Sequence, residues 1–269
     1  MDMYRMIALD IDGTLVGKDG RVSAANRAAI AQAKAAGLRV VLCTGRSWQE
    51  SEEVAAEIGC DPMIVCQGGA ALADLEQRRN TRLWEIPQNA ALALLALLED
   101  QPLGFVYFSG SELLVNPGSL AIFQAYPSEG FHRAKRVVEH PLRYFQEGNL
   151  PLNKIFACGD PACFPPLLEG VRARPEVTLT SSAWNNFEIL PAGIDKGTGL
   201  AALAAGLGIG MEEIIAIGDS PNDMAMLSAV GMPVAMGNAP GEVKALARYV
   251  TAANEADGVA QAIRHVLGL

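Results

Sequence analysis

The stretch IALDIDGTL at residues 7–15 decides the fold of this chain, because an apolar strand ends there in an acidic turn. Residues 6–9 are predicted to form a short buried strand. Asp10 and Asp12 follow its carboxyl end, where the ligands of parallel sheets bind, and Gly13 permits a turn that brings both carboxylates to one crevice. Such carboxylates repel each other unless a cation or a shared proton separates their pKa values. A solvated turn is the alternative, since Asp-Gly is a common turn pair.

Strands and helices alternate outward from this stretch. Helices are predicted over 24–36 and from the capping box at 47–50 to about 58, and strands over 38–43 and 63–66. The rhythm returns near the carboxyl terminus, with strands predicted over 214–217, 233–236 and 249–251 and helices over 223–230, 243–248 and 259–267. This β-α-β pattern predicts an α/β fold, a Rossmann-like parallel sheet with helices on both faces.

The composition of the chain changes between these two regions, where aromatic residues and prolines concentrate. Short strand-like runs at 105–108, 154–157 and 177–180 alternate there with helices. We therefore predict a discontinuous catalytic core at 1–82 and 187–269, and an inserted α/β cap domain at 83–186. Aromatic residues of the cap such as Tyr107 and Trp184 either contact a substrate or belong to the core of that domain.

Three further polar groups follow predicted strands or open helices. Thr44 and Gly45 end the second strand, and their hydroxyl and N–H groups suit a phosphate. Lys196 opens a helix predicted over 198–207, where a cation opposes the helix dipole unless an anion binds there. Asp219 and Asp223 follow a buried strand and can converge on a metal, and Asn222 between them can donate an amide N–H. Each group taken alone has a structural alternative. Thr44 and Gly45 could lie in a routine loop, Lys196 could be an exposed lysine, and the residues at 219–223 could cap a helix.

The four groups together resemble the haloacid dehalogenase (HAD) superfamily. The matching motifs are D-x-D-G-T at 10–14, T-G-R at 44–46, K-G at 196–197 and G-D-S-x-N-D at 218–223. Their order is most similar to that of the Cof-type phosphatases, whose α/β cap lies between the second and third motifs. Further agreement comes from 223–227, 234–239 and 257–260. One departure stands out, because relatives usually carry Asn-Gly-Ala where this chain has Gln67-Gly68-Gly69-Ala70.

This resemblance implies covalent catalysis on small phosphorylated metabolites. Asp10 would attack phosphorus and form an aspartyl-phosphate, while Asp12 protonates the leaving alcohol and then activates water. The implied Mg²⁺ ligands are Asp10, the backbone carbonyl of Asp12, and Asp219, with Asp223 nearby, and oxygen ligands suit this hard ion. The implied phosphate ligands are Thr44, Gly45, Lys196 and Asn222.

Competing functions stay open at this point. Asp12 favours esters of poor leaving groups such as sugar phosphates, because relatives that hydrolyse ATP carry Thr there and dehalogenases lack this Asp. A phosphomutase shares the four motifs and would isomerise a sugar bisphosphate. A regulatory protein that binds a phosphate ligand without turnover is the alternative from another class.

The amino-acid composition restricts the classes of binding partner and the cellular compartment that we expect. The chain of 269 residues is 50% hydrophobic and carries a net charge of −9, so we expect an ordered protein that binds neither nucleic acid nor an anionic membrane. Its 5 cysteines form no C-x-x-C pair, which favours free thiols in the cytoplasm over a disulfide framework or a zinc site. The apolar run at 90–98 is shorter than the roughly 20 residues that cross a bilayer. We expect a monomer or a homodimer.

Overall fold

A computed structural model describes residues 4–124 and 126–268. The strands are β1 (Met6–Leu9), β2 (Arg39–Leu42), β3 (Met63–Cys66), β4 (Ala71–Asp74), β5 (Arg79–Leu83), β6 (Gly104–Ser109), β7 (Glu112–Val115), β8 (Lys135–Val137), β9 (Lys154–Cys158), β10 (Val177–Thr180), β11 (Asn186–Pro191), β12 (Ile214–Gly218), β13 (Met232–Ala235) and β14 (Tyr249–Val250). The helices are α1 (Ala24–Ala35), α2 (Trp48–Ile58), α3 (Gln88–Leu98), α4 (Pro117–Phe123), α5 (Glu129–Ala134), α6 (Pro141–Gly148), α7 (Phe164–Arg172), α8 (Lys196–Gly206), α9 (Met224–Ala229), α10 (Gly241–Lys244) and α11 (Gly258–Leu267).

The predicted core sheet is confirmed. It has five parallel strands in the order β14-β13-β12-β1-β2. Alternate residues of β1 point to opposite faces. Ile7 and Leu9 pack with side chains of α1, α2 and α11, whereas Met6 and Ala8 pack with those of α8, α9 and α10. Because helices cover both faces, β1 is apolar throughout rather than alternating.

The third predicted strand differs from the expectation of a continuous parallel sheet. It forms at the predicted residues, but β3 pairs antiparallel with β4 in a separate sheet of the order β3-β4-β5. A single parallel bridge between Cys43 and Val65 joins it to the core sheet. The cause is the turn that follows β3, where Gln67, Gly68 and Gly69 all have positive φ and the chain reverses at once.

The inserted region forms a six-stranded sheet of its own in the order β10-β11-β9-β6-β7-β8, and this sheet is called the second sheet below. One face of this sheet packs on α3, α6 and α7 and includes Tyr107, which is a core aromatic. The other face is partly covered by α4 and α5 and otherwise turns toward the carboxyl edge of the core sheet. Strand β11 continues in this sheet to Pro191, past the predicted boundary between 186 and 187.

Several helix ends differ from their predicted positions. The helix predicted over 243–248 ends at Lys244, and the helix predicted from 198 already begins at Lys196. The helix predicted over 223–230 is α9, which spans Met224–Ala229 and is preceded by a 3-10 turn at 221–223. The five cysteines are free thiols. Within the described residues, no helix combines the length and the apolar character needed to span a membrane.

Candidate active site

The carboxyl edge of the core sheet collects the predicted polar residues. Asp10 follows β1 directly, Thr44 follows β2 after Cys43, and Asp219 follows β12. Lys196 reaches the same edge from the first turn of α8, where Asp195 caps the helix by accepting the N–H of Thr198. Parallel strands all present their carboxyl ends on one side, so residues far apart in sequence converge there.

Lys196 is the electrostatic centre of this cluster. Its ammonium lies 2.6 Å from Asp10 Oδ1 and 2.6 Å from Asp223 Oδ1, and the side chain is 1% exposed. Burial alone would lower the pKa of Lys196, but the charges of Asp10 and Asp223 raise it well above its usual value. Lys196 is therefore fully charged at neutral pH and fixes the orientation of both carboxylates.

Three carboxylates form a set that could hold a metal ion. Oxygens of Asp10, Asp219 and Asp223 all lie within 4.8 Å of one another. Asp219 accepts a hydrogen bond from Thr14 Oγ1 at 2.8 Å and one from Asn238 Nδ2 at 3.3 Å. The side chain of Asp12 lies outside this set, as expected if Asp12 serves a metal through its carbonyl.

The charge balance of this set fits a divalent cation. When all three carboxylates are ionised, they and the single ammonium of Lys196 leave an excess of two negative charges in a largely buried place. Burial, followed by the charge of Asp223, raises the pKa of Asp219 to about 6. Burial likewise raises the pKa of Asp10, with Asp223 and Asp219 adding to the effect of burial and Lys196 opposing it. An ion with an oxygen preference and a double charge, such as Mg²⁺, matches these ligands.

Gly13 is required by the close packing of this edge. Its φ is +78°, and a Cβ built on it would lie 2.3 Å from Asp219 Oδ2. Any side chain at this position would therefore push Asp219 out of the carboxylate set. The Asp-Gly turn in the sequence thus has a steric reason as well as a conformational one.

Asp12 is held by a residue to which the sequence analysis assigned no role. Arg46 Nη2 lies 2.6 Å from Asp12 Oδ1, and its Nε donates to Oδ2 at 2.9 Å, so the pair is bidentate. Burial alone would lower the pKa of Arg46, but the hydrogen bonds and charge of Asp12 raise it. The Asp12 side chain remains 56% exposed, so it stays accessible to a reacting group. The signal was present in the T-G-R motif, whose third residue is Arg46.

The remaining predicted residues contribute in different ways. Thr44 is fully buried, and its Oγ1 accepts the N–H of Arg46 at 3.2 Å. The carbonyl of Gly45 accepts a hydrogen bond from Lys154 of the second sheet. The backbone N–H of Asn222 donates to the Ser181 carbonyl at 3.1 Å. Only the side-chain amide of Asn222 is therefore left to donate toward the cavity that it lines.

A cavity of about 240 Å³ lies between the core and the second sheet, and both Asp10 and Asp12 line it. Its wall includes a buried ion pair that sequence reasoning missed, Lys154 Nζ to Glu188 Oε2 at 2.6 Å. Burial alone would raise the pKa of Glu188, but Lys154 lowers it below the usual value. No sequence pattern links β9 to β11, so only the fold reveals this pair. Trp184, in contrast, is 82% exposed and belongs to no core.

Gln67, the departure from the family pattern, connects the turn after β3 to the second sheet. It is buried with a φ of +52°, and its Nε2 donates to the Gly110 carbonyl at 3.0 Å. Asn80 Nδ2 donates to the same carbonyl at 2.8 Å. Gly110 lies in the turn between β6 and β7, so these two side chains fasten that turn to the core side of the molecule.

Comparison with known proteins places the chain in a family. A family model described as haloacid dehalogenase-like hydrolase matches residues 7–263. Phosphatase YwpJ of Bacillus subtilis is 31% identical, with 98% of this chain and 100% of that protein covered. The 5-amino-6-(5-phospho-D-ribitylamino)uracil phosphatase YcsE of the same species is 30% identical, with 97% of this chain and 95% of that protein covered. The solved structure of a haloacid dehalogenase-like hydrolase from B. subtilis has a TM-score of 0.87 at 27% identity, with 97% of this chain and 99% of that chain covered. The chain therefore belongs to the haloacid dehalogenase-like hydrolases, as its four motifs predict.

Proposed function

We propose that this protein is a Mg²⁺-dependent phosphatase that hydrolyses small phosphomonoesters through an aspartyl-phosphate on Asp10. The observation that carries the proposal is the position of Asp10. Its carboxylate is oriented by Lys196, belongs to the oxygen set with Asp219 and Asp223, and borders the cavity that Asp12 also lines. Nucleophile, cation site and acid/base candidate thus meet at one place.

The first half of the reaction forms a phosphoenzyme. A carboxylate oxygen of Asp10 attacks phosphorus, the ester P–O bond breaks, and the protonated form of Asp12 gives its proton to the departing alkoxide oxygen. Lys196 holds the attacking carboxylate and offsets the charge on the phosphoryl oxygens. The side-chain amide of Asn222 and the hydroxyl of Thr44 are the proposed neutral donors to that phosphoryl group.

The second half hydrolyses the aspartyl-phosphate. Asp12, now ionised, removes a proton from a water molecule that attacks phosphorus, and the Asp10–phosphorus bond breaks to release phosphate. The ionised form of Asp12 accepts two hydrogen bonds from Arg46, which orient it for this proton transfer. When bound by Asp10, Asp219 and the carbonyl of Asp12, with Asp223 nearby, Mg²⁺ supplies charge stabilisation to the phosphoryl oxygens.

The relatives support a small metabolite as substrate. YcsE is named for an aminouracil that carries a phosphorylated ribityl chain, and YwpJ is named only as a phosphatase. A cavity of about 240 Å³ admits the alcohol part of a small ester but no macromolecule. The five free thiols support a reducing setting, and we propose the cytoplasm.

The test compares wild-type protein with Asp10→Asn on p-nitrophenyl phosphate. We expect the wild type to release phosphate with Mg²⁺ and to stop when a chelator removes the ion, and the variant to be inactive in both conditions. Asn is nearly isosteric with Asp but is a far poorer nucleophile. Acid quench of the wild type during turnover should trap phosphate on Asp10. Substantial turnover by Asp10→Asn, or full turnover after chelation, would refute the proposal.

A further inference from the structure

The open face of the second sheet gives the cavity an aromatic wall. Residues at alternate positions of β6 and β9 point to it, because successive strand residues face opposite sides. Helices α4 and α5 contribute Phe123 and Phe131 to the same wall, together with Tyr126. The apolar and aromatic side chains that line the cavity are Val106, Phe108, Phe123, Tyr126, Phe131 and Phe156.

Several of these rings pack against one another. Phe123 lies with its ring centroid 5.5 Å from that of Phe131 and 6.3 Å from that of Phe156, and Tyr126 packs edge-on against Phe131 at 5.2 Å. Protein interiors seldom leave voids larger than a water molecule. A space of about 240 Å³ beside packed rings, open to Asp10 and Asp12, is therefore shaped for a ligand rather than left over from core packing.

Three polar residues that line the cavity beside the aromatic wall, Lys154, Glu188 and Ser182, are engaged with one another or with the backbone. Lys154 Nζ contacts Glu188 Oε2 and donates to the Gly45 carbonyl, and Ser182 Oγ donates to Glu188 Oε1 at 3.0 Å. A sugar would bring several hydroxyl groups into this space, and each hydroxyl buried without a partner is unfavourable. A flat ring with few polar substituents meets no such penalty and gains contact with the aromatic wall.

We propose, on the basis of the proposed phosphatase function, that the alcohol released by this enzyme carries an aromatic or heteroaromatic ring. The ring lies among Phe108, Phe123 and Phe156, and a short arm carries the phosphate to Asp10. The cavity, about 240 Å³, is smaller than the usual range for ligand sites, about 300–1,000 Å³. It therefore suits a single substituted ring.

The test uses two esters that differ only in the character of the ring. Benzyl phosphate and cyclohexylmethyl phosphate are both esters of primary alcohols with a six-membered ring, so their leaving groups are closely matched. Contacts between aromatic rings add to simple burial, and we expect kcat/KM for the benzyl ester to be about tenfold higher. Glucose 6-phosphate, a primary ester on a hydroxylated ring, should be poorer than both.

A pair of variants on one strand locates the preference. Phe108→Leu removes a ring from the cavity wall and should reduce the benzyl preference several-fold. Phe105→Leu removes a ring from the opposite face of β6, which packs on the helices, and should leave the ratio unchanged. Thermal unfolding of both variants shows whether they fold. The wild-type ratio decides the question alone if one of them does not.

The outcomes separate this inference from the function on which it rests. Equal or better hydrolysis of the cyclohexylmethyl or glucose ester would overturn the aromatic preference and leave the phosphatase function standing. An unchanged ratio in folded Phe108→Leu would overturn the role of the wall. Absence of phosphate release from every ester, including p-nitrophenyl phosphate, would instead reject the proposed function itself.

Discussion

Asp12 stands apart from the other acidic residues of the site, because its charge is paired with Arg46 rather than with Lys196. Its removal should therefore leave the Lys196–Asp10–Asp223 contacts intact. We predict that Asp12→Ala slows hydrolysis of an alkyl phosphate by about 10²–10⁴-fold, the usual contribution of general acid–base catalysis. With p-nitrophenyl phosphate, whose nitrophenolate leaves without a proton, the first step should remain fast.

The measurement is a rapid-mixing time course with the aryl ester. A burst of nitrophenol of up to about one equivalent per site should precede slow turnover, because the base that activates water is missing. Acid quench should trap phosphate on Asp10 in this variant, and the alkyl ester should give neither burst nor trapped phosphate. Equal slowing of both esters without a burst would mean that Asp12 does not transfer protons.

Asp219 makes the effect of Mg²⁺ on stability depend on pH. Burial and the charge of Asp223 raise its pKa from the usual 3.8 to about 6 in the metal-free fold. The fold therefore favours the protonated carboxyl, so this stabilisation is complete below the unfolded pKa and is lost as pH rises through about 6. Bound Mg²⁺ reverses the preference, because it requires the ionised form.

We predict that the rise in Tm on adding Mg²⁺ grows steeply between about pH 5 and about pH 8. Differential scanning calorimetry with saturating Mg²⁺ and with a chelator measures it at each pH. The control is Asp219→Asn, in which the ligand no longer titrates and the Mg²⁺ effect should be small at every pH. An effect of Mg²⁺ that is equally large at both ends of this range would contradict the prediction.

At the scale of elements, the contact between α5 and α2 depends on a glycine. A Cβ built on Gly130 would lie 2.2 Å from the Gln49 carbonyl oxygen and 2.9 Å from Glu50 Cα. These are backbone atoms at the start of α2 and cannot turn aside. Because α5 carries Phe131 and α2 carries Glu50, and both residues line the cavity, a change in the distance between these helices would move two parts of its wall.

We predict that Gly130→Ala destabilises the protein by about 1–3 kcal/mol, the usual effect of overpacking, and raises KM more than it lowers kcat. Gly118→Ala in α4 is the matched control, since its Cβ would meet only Asn116 Oδ1 at 3.7 Å. The control should unfold at the same denaturant concentration as wild type or slightly higher. Equal stability of the two variants in urea titrations would show that α5 yields without loss.

At the scale of the whole molecule, some features of the fold and the site could be predicted from the sequence and others could not. Motif residues at strand ends could be predicted to meet, because parallel strands place their carboxyl ends on one edge. The partnership of Arg46 with Asp12 could not, because it depends on how the loop after β2 folds back. The Lys154–Glu188 pair depends on the strand order of the second sheet. The antiparallel pairing of β3 depends on a positive φ at Gln67, and a glutamine in the sequence does not indicate such a backbone conformation. Long-range pairing and rare backbone conformations leave little periodic signal.

The division into core and cap leads to the last prediction. The predicted boundary after residue 186 would cut β11, which hydrogen-bonds to both β9 and β10 and is an interior strand of the second sheet. We predict that grafting the segment equivalent to 84–191 from a phosphatase of different specificity gives a folded chimera, whereas grafting 83–186 mismatches the cross-strand pairs of β11 and lowers Tm. The longer chimera should acquire the substrate preference of the donor in a phosphate-release assay, since its whole cavity wall except the core residues is replaced. It should stop on chelation like the parent, because Asp10, Lys196, Asp219 and Asp223 all stay in place. A folded chimera that kept the parent's preference for one ester over another would locate specificity in the core instead.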